Sequence, residues 1–165
     1  MRTLLLTITT RLIFSCKKEN AAPGKTVEID LLKSFQLVTG QCRINPSTAT
    51  LQDTVAIGNN DIQRYSITDH TFTLNFLTIQ RVKAFRDFTP FAVTVDKQVV
   101  YYGIFKSAYS GASCDNSITM SNIFSADNKI VMQLGYPGML QGTTVEDQRN
   151  NPKLIATLRR QGKIE

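Results

Sequence analysis

Two adjacent apolar runs near the middle of the chain constrain its fold more than any other feature. Residues 91–95 and 99–105 are rich in Val, Ile, Phe and Tyr, and three polar residues, 96–98, separate them. β-Branched and aromatic residues favour strands, and two such runs joined by a short polar turn predict a hairpin. Because both runs are apolar almost throughout, we expect this hairpin at the centre of a sheet.

Shorter segments on both sides predict further strands. Apolar and polar residues alternate from Val27 to Leu31, and Phe35 and Leu37 continue the alternation. Turn-forming residues are frequent at positions 45–61, so we expect loops there. The remaining predicted strands cover residues 62–67, 71–75, 118–120 and 130–134, and the first two flank a Thr-Asp-His turn.

Two segments instead show helical spacing. Apolar residues recur every three positions from Phe76 to Phe85, and Asn75 precedes them as an N-cap. Near the C-terminus, Asn151-Pro152 predicts the start of a second helix, because asparagine caps helices and proline fits their first position. Gly162 is expected to end this helix.

Together these segments predict an α+β fold: a mixed or antiparallel β-sheet with one mid-chain helix and a C-terminal helix. The chain has 165 residues, of which 42% are hydrophobic and 19% charged, and this composition excludes a collagen-like or low-complexity protein. We expect residues 26–165 to form a single globular domain with its own core.

The first 15 residues have a different pattern. A basic start at Arg2 is followed by apolar residues, and Ile13 and Ser15 stand three and one positions before Cys16. This arrangement resembles the signal and lipobox of bacterial lipoproteins. The resemblance implies that residues 1–15 are a signal peptide and that Cys16 is the lipidation site. A buried amphipathic helix with an ordinary cysteine is the alternative.

Residues 17–25 are polar and contain Pro23-Gly24, so we expect residues 16–25 to be a lipidated cysteine and a flexible tether. Five of the 19 Lys and Arg residues and one of the 13 acids precede Thr26, so the net charge of +6 falls to about +2 in the domain. Nucleic-acid-binding domains are more basic. We therefore expect a membrane as partner, through the lipid anchor, and no nucleic acid.

Cys42 and Cys114 remain when Cys16 is assigned to the lipid. An even pair of cysteines in an oxidising compartment predicts a disulfide. Two free buried thiols are one alternative, and a nucleophilic Cys114 is another. A cysteine nucleophile needs a base, and His70 is the only histidine of the chain.

A small, hydroxyl-rich stretch, residues 107–115, follows the apolar run 99–105 directly. Loops that a rigid scaffold holds in place often carry binding residues. A turn held by its hydroxyl groups and by a disulfide at Cys114 is the structural alternative. The candidate binding residues of this loop are Ser107, Tyr109, Ser110, Ser113 and Asp115.

No sequence pattern indicates a catalytic or metal site. Zinc sites need three or four His, Cys or carboxylate ligands at suitable spacing, and the nucleophile pattern GxSxG does not occur. We expect no metal and no cofactor, and we assign no catalytic residue. Asp87, Asp96 and Asp115 lie on predicted loops, so acid–base catalysis by a pair of them is the enzymatic hypothesis.

Residues 89–95 (TPFAVTV) and 134–138 (LGYPG), together with the CKKEN start after the signal, resemble small uncharacterised lipoproteins of Bacteroidota. The resemblance implies a lipid-anchored protein of the bacterial cell envelope, on the periplasmic side or at the cell surface, and no particular activity. Our first hypothesis is a non-catalytic module that binds an envelope protein or a glycan. The alternative is an envelope hydrolase that uses loop carboxylates.

Overall fold

The structure, a computed structural model, describes residues 23–107, 109–121 and 128–165. The predicted signal peptide, Cys16 and most of the predicted tether lie outside these residues. The described elements are, in chain order, β1 (Val27–Ser34), β2 (Thr50–Ile57), β3 (Ile62–Ser66), β4 (Thr71–Leu74), α1 (Phe76–Lys83), β5 (Pro90–Val95), β6 (Gln98–Lys106), β7 (Ile118–Ser121), β8 (Lys129–Leu134) and α2 (Pro152–Arg160).

All eight strands belong to one sheet, in the order β2-β1-β5-β6-β7-β8-β4-β3. β6 and β7 are parallel, and the other neighbouring pairs are antiparallel. The sheet is therefore mixed, and with one mid-chain and one C-terminal helix it confirms the predicted α+β fold.

The predicted hairpin of β5 and β6 lies in the interior of this sheet. Its two turn residues, Asp96 and Lys97, have positive φ angles of 51° and 63°, as a two-residue hairpin turn requires. Such angles are unfavourable for residues other than glycine. The side chains offset this cost, because Asp96 accepts hydrogen bonds from the backbone N–H groups of Lys25 and Thr26, and Lys97 pairs with Asp30 at 2.9 Å.

Gly103 allows close packing at the centre of β6. A Cβ atom at this position would lie 2.3 Å from the ring of Phe91 and 2.7 Å from the carbonyl oxygen of Ile118. The aromatic ring of the neighbouring strand fills the space that a side chain would otherwise take. Gly103 therefore allows β5, β6 and β7 to approach one another closely at this point.

Both helices cover one face of the sheet. The side chain of Asn75 accepts from the N–H of Thr78 at the start of α1, and Asn151 caps α2 in the same way, as predicted. In the described residues, neither helix is long and apolar enough to cross a membrane. The main core lies between the helices and the sheet and includes Ile29, Tyr65, Phe72, Ile79, Val82, Phe91, Phe105, Met120, Leu154 and Leu158.

The opposite face of the sheet is covered by loops and carries a smaller core. Its buried residues are Leu32, Ile44, Ala92, Ile104 and Cys114. Cys42 and Cys114 form a disulfide-compatible pair with Cα atoms 5.1 Å apart, within the range of protein disulfides. This pair joins the segment between β1 and β2 to the connection between β6 and β7, so the two loops pack together.

Two local predictions differ from the structure. β2 occupies residues that the turn signals assigned to loops, and the sequence did not reveal it because most of its side chains are exposed or half-buried and show no clear alternation. β1 ends at Ser34, and Leu37 forms only an isolated bridge with Ile44. Gly24, in the last residues of the predicted tether, donates a hydrogen bond to Thr157 of α2.

We expect Cys42 and Cys114 to be oxidised in the folded protein. A cross-link between residues 72 positions apart contributes about 4 kcal/mol in the chain-entropy model. Thiol counting on the unfolded, unreduced Cys16→Ser protein should therefore find no reactive thiol, and reduction should lower the free energy of unfolding by about that amount. Two reactive thiols in the unreduced sample would show that the pair is not cross-linked.

Candidate functional site

The connection between β6 and β7 contains the loop that the sequence singled out. Because the two strands are parallel, residues 107–117 must return from the end of β6 to a point beside Gly103, where β7 begins. The loop is attached to the domain at both ends. Asp87 holds its first residues, and Cys114 holds its last ones.

The first attachment is built around a buried lysine. The side chain of Lys106 is fully buried, and its Nζ lies 3.0 Å from Oδ2 of Asp87 and 3.5 Å from the centre of the Phe88 ring. A buried ammonium group needs such a partner, since an unpaired charge in the interior is strongly unfavourable. The aromatic face adds a cation–π contact.

The same carboxylate binds the loop. Asp87 accepts a hydrogen bond from the N–H of Ser107 at 2.9 Å and one from the hydroxyl of Ser110 at 2.7 Å. Burial tends to raise the pKa of Asp87, but the hydrogen bonds from Ser110, Ser107 and Lys106 outweigh it and lower this pKa below its ordinary value. Asp87 is therefore ionised, and both of its carboxylate oxygens accept hydrogen bonds from within the protein.

The second attachment is at the cysteine pair. Cys114 exchanges two backbone hydrogen bonds with Tyr136, of 2.8 and 2.9 Å. Cys114 precedes β7 and Tyr136 follows β8, so this short ladder extends the pairing of the two strands to residues before the start of β7. The loop therefore ends on a rigid base.

The five candidate binding residues do not form one cluster. Ser107 and Ser110 meet at Asp87, whereas Tyr109 projects into solvent with 98% of its surface exposed. Ser113 is exposed, and Asp115 is half-buried and accepts a hydrogen bond from its neighbour Asn116.

Sequence reasoning noted Asp87 only as one of several dispersed acids and missed Lys106. The one available signal was a lysine directly after an apolar strand.

A cleft lies at the other end of this loop. Its volume of about 600 Å³ is in the usual range of ligand sites. The described residues that line it come from β6, the end of the β6–β7 loop with the first residue of β7, and the loops before β2 and α2. They include Arg43, Val99, Tyr102, Asn116, Val145 and Glu146.

The cleft exists because β6 is longer than its parallel partner. β7 pairs with β6 only from Gly103 to Lys106, so residues 98–102 pair with β5 on one side and have no strand on the other. The N–H of Phe105 donates to Thr89 on the β5 side, and N–H direction alternates along a strand. The N–H of Tyr102 therefore faces the cleft.

The walls of the cleft combine apolar and charged groups. Val99 and Val145 are half-buried and provide apolar surface, while Arg43 and Glu146 are exposed and provide one charge of each sign. Among the described lining residues, Glu146 is the one carboxylate. The cleft can therefore bind a partly apolar ligand that carries both hydrogen-bonding and charged groups.

The other two carboxylates of the enzymatic hypothesis have local partners. Hydrogen bonds from the N–H groups of Thr26 and Lys25 lower the pKa of Asp96, which lies in the β5–β6 turn. Asp115 bonds to Asn116. Within the described parts of the chain, no group of three or more His, Cys, Asp or Glu residues could hold a metal ion.

Comparison of the chain with protein-family models, with curated proteins and with solved structures gives no match. The geometry of the loop and the cleft is therefore the basis for the functional argument.

We predict that Asp87→Asn destabilises the protein by about 2–3 kcal/mol, because it leaves Lys106 buried without its counter-ion; partial exposure of Asp87 reduces the effect of a fully buried pair. Urea unfolding measures the change. The exposed Asp53→Asn is the matched control and should change stability by less than about 0.5 kcal/mol. An equal, small effect of both variants would contradict the role of Asp87.

The Lys106–Asp87 pair also makes the stability of the protein depend on pH. The pKa of Asp87 is lower in the folded than in the unfolded chain. Its contribution to the free energy of unfolding is therefore complete above about pH 4, and it is lost as the pH falls through the pKa that Asp87 has in the folded protein. The stability difference between the wild type and Asp87→Asn should therefore shrink in acid. A difference that stays constant down to the lowest pH at which the protein folds would contradict this.

Proposed function

We propose that the protein is a lipid-anchored, non-catalytic binding module of a bacterial cell envelope, and that its cleft binds an extended peptide segment. Three features support the proposal. They are the lipobox-like sequence before Cys16, the paired cysteines Cys42 and Cys114, which suit an oxidising compartment, and the open edge of β6.

The open edge of β6 is the observation that carries the proposed binding mode. An extended peptide can add to an unpaired strand edge, where main-chain hydrogen bonds supply affinity and pockets for alternate side chains supply specificity. Residues 98–102 offer about 17 Å of strand, and the N–H of Tyr102 is a donor within it. The ligand segment would therefore extend over about five residues.

The cleft walls define the chemistry of this segment. Arg43 can bind a carboxylate of the peptide and Glu146 a basic side chain, whereas Val99 and Val145 suit apolar side chains between them. We therefore propose a partner segment of mixed charge with alternating apolar residues. A glycosidase of the two-carboxylate type needs two acidic residues that face each other across the substrate. Among the described residues that line the cleft, Glu146 is the one acid.

The anchor is tested by Cys16→Ser. This variant should no longer incorporate radiolabelled fatty acid and should leave the membrane fraction, because stable anchoring needs the acyl chains that the lipidated cysteine carries. Lys18→Ser, in the same segment, is the control and should be labelled like the wild type. Unchanged membrane fractionation of Cys16→Ser would overturn the anchor.

The cleft is tested with peptides selected from a random library against the whole protein. Thr144 is exposed and lines the cleft, so Thr144→Trp should fold normally and obstruct binding, raising the Kd of a selected peptide by about tenfold or more. Gln141→Trp lies in the same loop and is the matched control. Failure to select any peptide, or equal affinities of the two variants, would contradict peptide binding in the cleft.

A further inference from the structure

The outer side of α1 combines apolar and basic side chains. Phe76 and Leu77, at the start of the helix, are 63% and 76% exposed although they are large and apolar. Ile79 and Val82 of the same helix are fully buried, so the core does not require the first two. Adjacent exposed Phe and Leu residues of this kind indicate a contact surface.

Positive charges follow the two apolar residues. Arg81, Lys83 and Arg86 are exposed, and no acidic residue occurs between positions 76 and 86. Asp61, from the turn before β3, pairs with Arg81 at 3.2 Å, so Lys83 and Arg86 carry the excess charge. We call the exposed residues Phe76, Leu77, Arg81 and Lys83 of α1, together with Arg86 three residues after the helix ends, the α1 face. Apolar side chains next to basic ones are typical of helices that lie in a membrane interface.

The α1 face lies near the point where the chain enters the domain. The N–H of Val27 donates to Asn59, two residues before Asp61, and the side chain of Asn75 donates to Asp61 at 2.7 Å. Asn75 directly precedes Phe76. These steps limit the distance between Val27 and Phe76 to about 25 Å.

The predicted anchor restricts this end of the domain to the neighbourhood of the bilayer. Pro23, where the described chain begins, follows Cys16 by seven positions, and this connection spans at most about 25 Å when fully extended. Such a short connection keeps the local concentration of lipid near the α1 face high, so that a contact too weak to hold a free protein can form.

We propose that the α1 face rests on the lipid surface, with Phe76 and Leu77 inserted into the interface and Lys83 and Arg86 beside anionic headgroups. The proposal rests on the lipid anchor of the proposed function. It gives the anchored domain a defined orientation, because one lipid attachment alone would let the domain rotate on its connection. The occupant of this surface is then the bilayer, rather than a protein partner or a second copy of the chain.

A single tryptophan tests the contact. The chain contains no Trp, so Leu77→Trp introduces the only indole fluorophore. The full-length lipidated protein is reconstituted into vesicles of phosphatidylethanolamine with roughly one quarter phosphatidylglycerol, with and without brominated acyl chains. Insertion should shift the emission to shorter wavelength and make the brominated lipid quench it. Tyr109→Trp, at a 98% exposed position on the β6–β7 loop, is the control and should stay unshifted and unquenched.

Flotation of the same samples separates the two claims. If Leu77→Trp floats with the vesicles while its emission and quenching match those of Tyr109→Trp, the membrane contact of the α1 face is overturned and the anchor stays intact. A protein that does not float would overturn the anchor and the contact together. In a floating sample, Phe76→Ser added to Leu77→Trp should reduce the quenching, since it removes the neighbouring apolar group, and unchanged quenching would exclude Phe76 from the contact.

Discussion

The parallel pairing of β6 with β7 is the constraint on which the site depends. A parallel pair needs a connection that returns along the strand, and most proteins use a helix for it. Here residues 107–117 return as a loop in which the described residues form no helix. Because β7 starts opposite Gly103, the first half of β6 is left without a second partner, and the cleft occupies this gap.

A loop in this role needs fixed attachments, and the structure supplies two of different chemistry. Asp87 neutralises Lys106, the last residue of β6, and also accepts hydrogen bonds from Ser107 and Ser110, so one carboxylate holds both the end of β6 and the first turn of the loop. The cysteine pair ties the end of the loop to the segment before β2. Each attachment orders the residues at one end of the loop. Less conformational entropy of the loop is then lost when a ligand binds.

Much of the fold was predictable because its signals are local. The β5–β6 hairpin shows β-branched runs around a polar turn, and both helices have asparagine caps at Asn75 and Asn151. β2 was missed because its exposed side chains give no periodic signal. The order of the strands and the single parallel pair depend on long-range contacts that periodicity does not reveal.

The candidate site was predictable only in part, for the same reason. The hydroxyl-rich loop 107–115 stood out by composition, and two of its serines do bind one carboxylate. Asp87 lies in the turn between α1 and β5, 19 residues before Lys106 at the end of β6, so their pairing could not be inferred from sequence. The cleft combines residues from four segments of the chain, and its defining feature, the open edge of β6, is a property of the sheet.

Amide hydrogen exchange of Tyr102 measures whether the edge of β6 is open in the free protein. In the free protein its N–H faces the cleft, whereas the N–H of Phe105 is bonded to Thr89 within the sheet. We expect Tyr102 to exchange many-fold faster than Phe105, and to slow markedly when a selected peptide adds to the edge of β6. Equal protection of Tyr102 and Phe105 in the free protein would show that the edge of β6 is already paired and cannot take up a peptide.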